Sequence, residues 1–411
     1  MIRSITVGLP LDGMSTTIVE TRVQHLLKEA REQLTPLQLV PRTQRFTLPP
    51  CGLESEAEGV MLSRLRWVDE FARRMGVRWF CAPLDFVSPG PRAGRIAAAL
   101  DAVVRFDRMF LNMILATDRQ MAANATHDAA KLVLDISRKT NNGFDNFRVG
   151  ASFNCPPNAP FFPFSRHEGS NVAFSFALET TQLALQVVKG NSTTRDVDAV
   201  RNDLVTQLVP YLRSVDEVGQ HLAATTATEY RGIDASFAPM PGDNVSVATL
   251  VESLTGAPIG SRASVFGTAL LTDALRTALA QSRAKAVGFN GVMYAVLEDP
   301  ALAAANSKRL ISVDTLMVLS TVCACGLDMV PVPGLSFPEE ISAVMLDVAA
   351  LSCALDKPLG ARLLPIPNGQ VNEFTKLNLD FLCDSRVIGL GANDRKIQTR
   401  DHLIGFRTPR H

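Results

Sequence analysis

The sequence predicts one α/β domain in which parallel strands are joined by crossover helices. Two observations indicate this class. Strand-like and helix-like segments alternate along the chain without the turn signals of β-hairpins, and no Ser/Gly-rich linker, low-complexity tract or repeat divides residues 1–411. The pattern fits a closed barrel as well as an open sheet.

Segments rich in β-branched and aromatic residues predict the strands, at residues 2–9, 43–50, 77–87, 146–154, 172–178, 286–296, 327–333 and 361–367. Apolar residues at helical spacing predict the helices, at 17–34, 55–76, 179–190, 194–228, 313–325 and 339–355. Capping boxes open the first two helices, Thr17 with Glu20 and Ser55 with Glu58. Pro210 is expected to interrupt the helix at 194–228.

Charge and cysteine content limit the classes of function. The 41 Lys and Arg residues balance the 41 Asp and Glu residues, so no field attracts a phosphate backbone or an acidic membrane. The seven cysteines are an odd number and are scattered, which favours a reducing cytoplasm over a disulfide framework. The first residues lack the apolar core of a signal peptide, and no apolar run could span a bilayer. We therefore expect a cytoplasmic protein with a small-molecule partner and neither a nucleic-acid nor a membrane partner.

Cys323 and Cys325 are predicted in the last turn of a helix, with Gly326 ending it. Residues two apart on a helix point to different faces, so the two thiols are poorly placed to share a metal. Zinc sites also need a second ligand pair, which the neighbouring sequence does not supply. These residues are therefore interpreted as two small core side chains, and a redox or metal pair is not expected.

Five blocks occur in the order seen in the UPF0210 family, also called DUF711, and with the start "IRSITVGL" the resemblance covers nearly the whole chain. They are "NGFDNFRVGASFNCPPNAPFFPFSRHEG" (142–169), "YRGIDASFAPMPG" (230–242), "AVGFNGVMYAVLEDP" (286–300), "STVCACGLDMVPVPG" (320–334) and "KPLGARLLPIPNG" (357–369). The resemblance implies a fold similar to the pyruvate formate-lyase-like superfamily, a ten-stranded α/β barrel of two parallel half-barrels. It also implies a homodimer, but it supplies no settled reaction.

Two places depart from the family pattern. Leu335 follows the "PG" of the fourth block, where members usually carry an acidic residue, and the strand near 288 reads "VGFNGVM" in place of a serine- and glycine-rich one. Both segments are expected at a barrel rim or lumen, so the ligand is expected to differ from that of the main branch. Asn290 in this strand is a candidate ligand-binding residue.

The loop "FNCPPNAPFFPFSRHEG" follows a predicted strand, and its four prolines stiffen it. Long loops after the strands of α/β barrels are where binding groups collect. Asn154 and Cys155 are expected to shape a pocket, with the thiol as a possible nucleophile. His167 is predicted to be an acid/base group or a ligand, beside Glu168. The alternative is a histidine that only stabilises the loop.

Acidic residues near strand ends form the second candidate group. Asp234 and Asp328 lie among apolar residues, and a carboxylate buried there needs a cation, a hydrogen-bond donor or a proton. Arg362 could pair with one of them or bind an anionic ligand in two-pronged fashion. Asp243 and Asp299 stand beside Gly242 and Pro300 and are interpreted as turn or N-cap residues.

The segment "CDSRVIGLG" at 383–391 matches three positions of the loop that stores the radical in glycyl radical enzymes, namely Arg386, Val387 and Gly389. Ile388 and Leu390 do not match, and so short a match is weak, which favours an ordinary turn glycine. Neither a Rossmann glycine fingerprint, nor a P-loop, nor a nucleophile elbow is present.

The leading hypothesis is an enzyme that acts on a small polar or carboxylated metabolite inside a barrel, by acid/base chemistry or with a divalent metal. The tentative metal ligands are Asp234, Asp328 and His167, and Arg362 would clamp an anionic group. The alternative is a non-catalytic small-molecule sensor on an enzyme-like scaffold. A glycyl radical enzyme is the third and weakest hypothesis.

Overall fold

The computed structural model describes residues 1–50, 58–89, 93–140, 143–190, 196–241, 245–391, 395–397, 399 and 402–406. Its strands are β1 (Ile2–Gly8), β2 (Thr43–Thr47), β3 (Trp79–Asp85), β4 (Met109–Thr117), β5 (Gln120–Met121), β6 (Val149–Phe153), β7 (Ala173–Leu178), β8 (Glu229–Asp234), β9 (Gly326–Pro333), β10 (Leu359–Ile366) and β11 (Ile404–Gly405). The predicted cap residue Ser55 and Asp243 lie outside the described residues.

The helices of this part of the chain are α1 (Thr16–Leu34), α2 (Glu58–Arg74), α3 (Ala93–Arg105), α4 (Thr126–Lys139), α5 (Thr181–Gly190), α6 (Val197–Thr226), α7 (Val247–Thr255), α8 (Ser264–Ser282), α9 (Pro300–Ser307), α10 (Val313–Ser320) and α11 (Pro338–Leu355). Their alternation with the strands confirms the α/β class. No helix of the described residues is long and apolar enough to cross a bilayer.

One sheet contains all the strands, and its main path runs β8-β7-β1-β2-β3-β4-β6-β10-β9. Strands β1, β2, β3, β4 and β6 pair in parallel as one group. Strands β7 and β8 pair in parallel, as do β9 and β10. The pairs β1–β7 and β6–β10 are antiparallel. The first group therefore runs opposite to its neighbours at both of its edges.

The two ends of this path, β8 and β9, are not joined by a regular strand, so the sheet of named strands is not closed. The predicted strand at 286–296 is wrong as a regular element. Gly288 and Asn290 have φ angles of +83° and +50°, which are incompatible with extended backbone. The segment instead makes isolated bridges, through Ala286 to β8 and through Ala295 to β9.

Helix boundaries differ from the predictions where the capping chemistry was misread. The α1 cap is Ser15, whose hydroxyl accepts from Ile18 N, because Thr17 already lies inside the helix. Helix α6 runs through Pro210 without ending, from its Asp196 cap to Ala227 in the left-handed conformation. Its tertiary packing outweighs the lost hydrogen bond, since a long row of its residues is buried.

The strands are buried on both faces, as is typical of parallel sheets that helices cover. Every residue of β7 and β10 is buried, and so is all of β4 except Thr117. On the helical side, Phe71 of α2 stacks on Phe46 of β2 with ring centroids 5.2 Å apart. On the other side, the loop at 154–168 packs against the strands.

This proline-rich loop receives hydrogen bonds from strands in both directional groups. The Thr6 hydroxyl of β1 donates to the Pro160 carbonyl at 3.3 Å, and the Ser175 hydroxyl of β7 donates to the Asn158 carbonyl at 2.8 Å. The side chain of Asn112 in β4 donates to the carbonyl of a loop serine at 3.2 Å. The loop therefore lies against the face of the sheet opposite to Phe71 of α2.

Candidate functional site

A cavity of about 260 Å³ opens at the amino ends of the first strand group. We call it the arginine cavity because five arginines contribute to its wall, namely Arg3, Arg42, Arg45, Arg78 and Arg362. Among the described residues, two carboxylates line it, Asp328 and Glu298. Aromatic rings fill much of the remaining surface: Trp79, Phe110, Phe147, Phe161, Phe162, Phe164 and Phe381. The described part of the lining carries a formal surplus of positive charge.

Three of these arginines lie over aromatic rings of the same cavity. The guanidinium carbons of Arg3, Arg45 and Arg78 are 5.7, 5.1 and 4.8 Å from the ring centroids of Phe161, Phe162 and Trp79, respectively. A guanidinium over a ring face is attracted by the ring quadrupole, and stacking on the ring fixes the orientation of its plane. The rings therefore hold the cations at the cavity without neutralising their charge.

The inner end of the cavity is a hydrogen-bonded ion network around Arg362. Its Nε donates to Asp328 Oδ1 at 2.5 Å and its Nη2 to Asp328 Oδ2 at 2.9 Å, so the pair is bidentate. Nη2 also donates to Glu298 Oε1 at 2.8 Å, and Nη1 donates to the Phe147 carbonyl at 3.1 Å. The pairing that the sequence suggested for the buried Asp328 is thus observed.

Burial and ion pairing shift the pKa values of this network in opposite directions. Burial raises the pKa of Asp328, and the Arg362 guanidinium opposes that rise. Burial lowers the pKa of Arg362, but Asp328 and Glu298 outweigh it, so the net pKa of Arg362 rises. Arg362 therefore stays charged, and the two carboxylates around it compensate it internally.

Arg45 and the exposed Arg78 are the two cavity arginines without an ion pair to a described residue, and Arg45 is the less exposed of them. It is half-buried, its Nε donates to the Thr43 hydroxyl at 3.1 Å, and it forms no ion pair with a described residue. Burial lowers its pKa to about 9, the neighbouring Arg3 adds to the effect, and Glu298 partly opposes it. By contrast, the Nε of Arg42 lies 2.6 Å from Glu179. An anion beside Arg45 would stabilise its charged form and so offset the effect of burial on that form.

The predicted residues Asn154, Cys155 and Glu168 line a different cavity, at the carboxyl ends of β3, β4 and β6. We call it the carboxyl-end cavity, and its volume is about 780 Å³. Asn154 has a structural part there, since its Oδ1 accepts from Arg119 N at 2.8 Å and its Nδ2 donates to the Ser352 hydroxyl at 2.9 Å. Burial raises the pKa of Cys155 to about 12, so its thiol is protonated at pH 7.

His167 lines neither cavity. Its ring lies under Gly8, where a Cβ would come within 2.2 Å of Nδ1. Nδ1 lies 3.2 Å from Asn158 Oδ1, and the buried Nε2 has no hydrogen-bond partner among the described residues. Burial lowers its pKa to about 4, with Arg231 adding to the effect, so the ring is neutral at pH 7. The geometry favours the structural interpretation over the acid/base one.

Asp234 is buried and fully occupied by protein donors. Its Oδ1 accepts from the Ser236 amide at 3.0 Å, the Ser236 hydroxyl at 2.5 Å and the Asn290 amide at 3.2 Å, while Oδ2 accepts from Phe289 N at 2.7 Å. Asn290 in turn accepts from Ala235 N at 2.9 Å through Oδ1. These two predicted site residues therefore hold the irregular segment at 286–296 against β8.

The predicted metal ligands do not converge. Asp328 is clamped by Arg362 in the arginine cavity, Asp234 is saturated by backbone donors, and His167 lies under β1. The part of the chain that the structure describes contains no group of three or more His, Cys, Asp or Glu residues placed to hold an ion. The structure therefore does not bring these three residues together, and a metal bound by them stays a prediction.

The residues of the glycyl-radical match have structural contacts outside both cavities. Arg386 is buried and donates to the Asn306 carbonyl at 2.9 Å, the Asn306 side chain at 3.0 Å and the Ile311 carbonyl at 2.9 Å. Gly389 packs beside Val371 and lines neither cavity. The segment anchors the chain after β10.

Comparison with known proteins identifies the family. A family model described as "Uncharacterised ACR (DUF711)" matches residues 1–378. The chain belongs to this family. It is 28% identical over 377 residues to a UPF0210 protein of Pyrobaculum arsenaticum, an alignment that covers 89% of this chain and 82% of the relative. A UPF0210 protein of Lactobacillus delbrueckii subsp. bulgaricus is 25% identical over 366 residues, or 86% and 80% of the two chains. The resemblance carried by the five sequence blocks is thereby confirmed.

The residues that distinguish the cavity of this DUF711 protein were not predicted from the sequence. Arg3 and Arg45 are single charged residues inside short strands whose other members are largely apolar or β-branched. A charge at such a position has to reach a partner or a wet cavity. That signal is present in "IRSITVG" and "TQRFT". It lies at the beginnings of the strands, whereas the predicted site residues follow the ends of strands.

Proposed function

We propose that this DUF711 protein binds a small carboxylated metabolite in the arginine cavity. The single observation that carries the proposal is Arg45, a half-buried guanidinium that stacks on Phe162 and has no carboxylate partner among the described residues. Planar guanidinium groups bind carboxylates through paired hydrogen bonds, and a stacked one is already oriented. Arg3 and Arg78 add positive potential on either side.

The inner network supplies the polar floor against which such a ligand would rest. Arg362 is neutralised by Asp328 and Glu298, so it does not compete with Arg45 for the anion. Glu298 also faces Arg3, with a 3.8 Å separation of charged atoms. A ligand that carries a hydroxyl or amine opposite its carboxylate could donate to these acids. The proposed ligand is therefore polar at both ends and apolar along the aromatic walls.

The arrangement of this cavity also supports the finer fold proposal, a barrel of two half-barrels similar to the pyruvate formate-lyase-like superfamily. The segment at 286–296 would serve as the irregular tenth strand. Val287 N donates to the Ile233 carbonyl of β8 at 3.0 Å, and Val296 N donates to the Asp328 carbonyl of β9 at 2.9 Å. The inward-facing loop at 154–168 would then fill the lumen between the two cavities.

Isothermal titration calorimetry with succinate, lactate and benzoate, each paired with its neutral amide, tests the ligand class. The carboxylates are expected to bind and the amides are not. Loss of a charged hydrogen-bond partner costs about 1.5–3 kcal/mol, so Arg45→Met should weaken binding about ten- to hundredfold. Arg45→Lys should restore part of the affinity, because the charge remains without the fork.

Arg105→Met is the matched control for this titration. Arg105 is an exposed arginine on α3, paired with Asp101 outside the cavity, and its removal should leave the affinity unchanged. Equal affinities for Arg45→Met and the parent protein would overturn the proposal. So would binding of the amides as tightly as the acids.

Catalysis on the bound ligand is the second candidate, and one observation favours it. The wall of the cavity includes the thiol of Cys325 together with the carboxylate of Asp328, two groups able to exchange protons or attack a carbonyl. Incubation of any carboxylate that binds, followed by product analysis with the parent protein and Cys325→Ser, separates the candidates. Binding without turnover would leave the sensor interpretation, and turnover lost in Cys325→Ser would favour the enzyme.

A further inference from the structure

The arginine cavity contains two cations, not one, that no described carboxylate compensates. Arg3, Arg42 and Arg362 each have a carboxylate oxygen at 3.8 Å or closer. Arg45 and Arg78 line the same cavity without such a partner among the described residues. A ligand with a single negative charge would therefore balance only one of these two arginines.

Arg45 and Arg78 start from neighbouring strands at the same level of the sheet. Arg45 lies opposite Trp79 in the parallel register of β2 and β3, and Arg78 is the residue before Trp79. Neighbouring strands are about 4.8 Å apart, so the two side chains begin close together. Burial is the main cause of the lowered pKa of Arg45, and Arg78 is among the cations that add to it. Negative charge near both arginines would relieve this repulsion.

The two guanidinium groups stand over different rings. Arg45 lies 5.1 Å from the ring centroid of Phe162, and Arg78 lies 4.8 Å from that of Trp79. The Phe110 ring packs against both of these rings, with centroid separations of 5.4 and 5.3 Å. Arg45 is half-buried and Arg78 is exposed. The cavity therefore offers an inner and an outer position for an anionic group, linked by an aromatic surface.

The rest of the described lining supplies little polarity between these two positions. Apart from the charged residues and one threonine, its side chains are aromatic or aliphatic, together with the buried thiol of Cys325. Helix α10 ends at Ser320, so the prediction that places Cys323 and Cys325 in its last turn is wrong. Both belong to buried core clusters, which confirms their interpretation as small core side chains. An apolar spacer is the part of a ligand that fits such walls.

We infer that the ligand of the arginine cavity is a dicarboxylate with an apolar spacer, whose inner carboxylate binds Arg45 and whose outer carboxylate binds Arg78. The inference rests on the proposed carboxylate site at Arg45 and adds a second anchor to it. Each guanidinium would bind one carboxylate through paired hydrogen bonds, and the spacer would lie on the Phe110 ring. Arg78 is then the residue that selects a ligand with two charges over one with a single charge.

Titration calorimetry with adipate and monomethyl adipate tests this selection, because the two share a spacer and differ by one charge. Arg78 is exposed, so water and salt weaken its attraction, and we expect adipate to bind about three- to tenfold more tightly than the monoester. Arg78→Met should remove this advantage by weakening adipate, and Arg78→Lys should keep part of it. Malonate, whose single methylene is too short to span the ring, should show no advantage over monomethyl malonate.

Arg74→Met is the matched control for Arg78→Met. Arg74 is also an exposed arginine over an aromatic ring, 5.6 Å from the centroid of Phe71, and it pairs with Glu20 outside the cavity. Its replacement should leave the affinities for adipate and for the monoester unchanged. A loss of stacking or of surface charge in general would therefore be distinguished from the loss of an anchor.

Three results would overturn the second anchor while leaving the carboxylate site at Arg45 in place. The first is equal affinity of the parent protein for adipate and its monoester. The second is an affinity ratio that Arg78→Met does not change, since a general electrostatic or structural role would affect both ligands alike. The third is tighter binding of inorganic phosphate than of adipate, which would mean that both arginines share one anionic group. If neither adipate nor the monoester binds the parent protein, the proposed function fails together with this inference.

Discussion

The buried imidazole of His167 makes the stability of this protein depend on pH in a calculable way. Its pKa is lowered from 6.5 to about 4 because burial disfavours the charged ring, and the positive charge of Arg231 adds to the effect. The unfolded chain therefore binds a proton between these two values that the folded chain does not. The stabilisation that the neutral His167 ring gives the folded protein is complete above pH 6.5, falls as the pH drops, and is lost by pH 4. We expect this single group to remove about 2 kcal/mol of unfolding free energy at pH 5 and about 3 kcal/mol at pH 4.

Urea unfolding of the parent protein and of His167→Gln, followed by circular dichroism at pH 7, 5 and 4, measures this effect. Carboxylates also titrate in this range, so the relevant quantity is the difference between the two proteins at each pH. That difference should shrink by the amounts given above, because glutamine does not titrate in either state. His25→Gln, an exposed histidine of α1, is the matched control and should run parallel to the parent protein.

Two results would refute this reasoning about His167. One is a constant difference between the parent protein and His167→Gln from pH 7 to pH 4. The other is an NMR titration of the folded protein in which the imidazole carbons of His167 shift with a midpoint near 6.5. Either result would mean that the ring has access to water or to an acceptor, and the acid/base role expected from the sequence would return.

Three substitutions test the buried carboxylates by the same urea assay. Asp299→Ala removes an acceptor that caps both α7 and α9 through four backbone amides. It should lower the free energy of unfolding by about 2–4 kcal/mol. A loss below about 1 kcal/mol would contradict the double-cap interpretation. Gly288→Ala should cost at least about 1–2 kcal/mol, because φ is +83° and the new Cβ would lie 2.2 Å from Asp234 Oδ2; an unchanged midpoint would refute it. Asp328→Asn should cost about 3–5 kcal/mol by leaving Arg362 undercompensated, whereas a neutral outcome would mean that Glu298 alone suffices.

Sequence reasoning predicted β1, β2, β3, β6, β7, β9 and β10 and six of the described helices, because their signals are local. It assigned no element at β4 or at the helices α3, α4, α7, α8 and α9. The apolar stripe of α1 and the β-branched segment of β1 need no knowledge of distant residues. Asp299 was correctly interpreted as an N-cap, since Asp followed by Pro300 is a signal contained in two residues. The segment at 286–296 failed because its backbone is determined by a distant carboxylate, Asp234, which binds the amides of a glycine-containing turn.

The candidate site was harder to predict because of the direction in which the strands run. In a parallel α/β sheet, functional groups are sought after the carboxyl ends of strands, and that rule leads to Asn154, Cys155 and Glu168. Here the first strand group runs opposite to its neighbours on both edges, so its amino ends lie beside Asp328 and Arg362 of the other strands. At each end of such a sheet, the amino ends of one strand group lie beside the carboxyl ends of the neighbouring, antiparallel strands. A residue such as Arg45, early in its strand, can therefore face a cavity as directly as one that follows a strand.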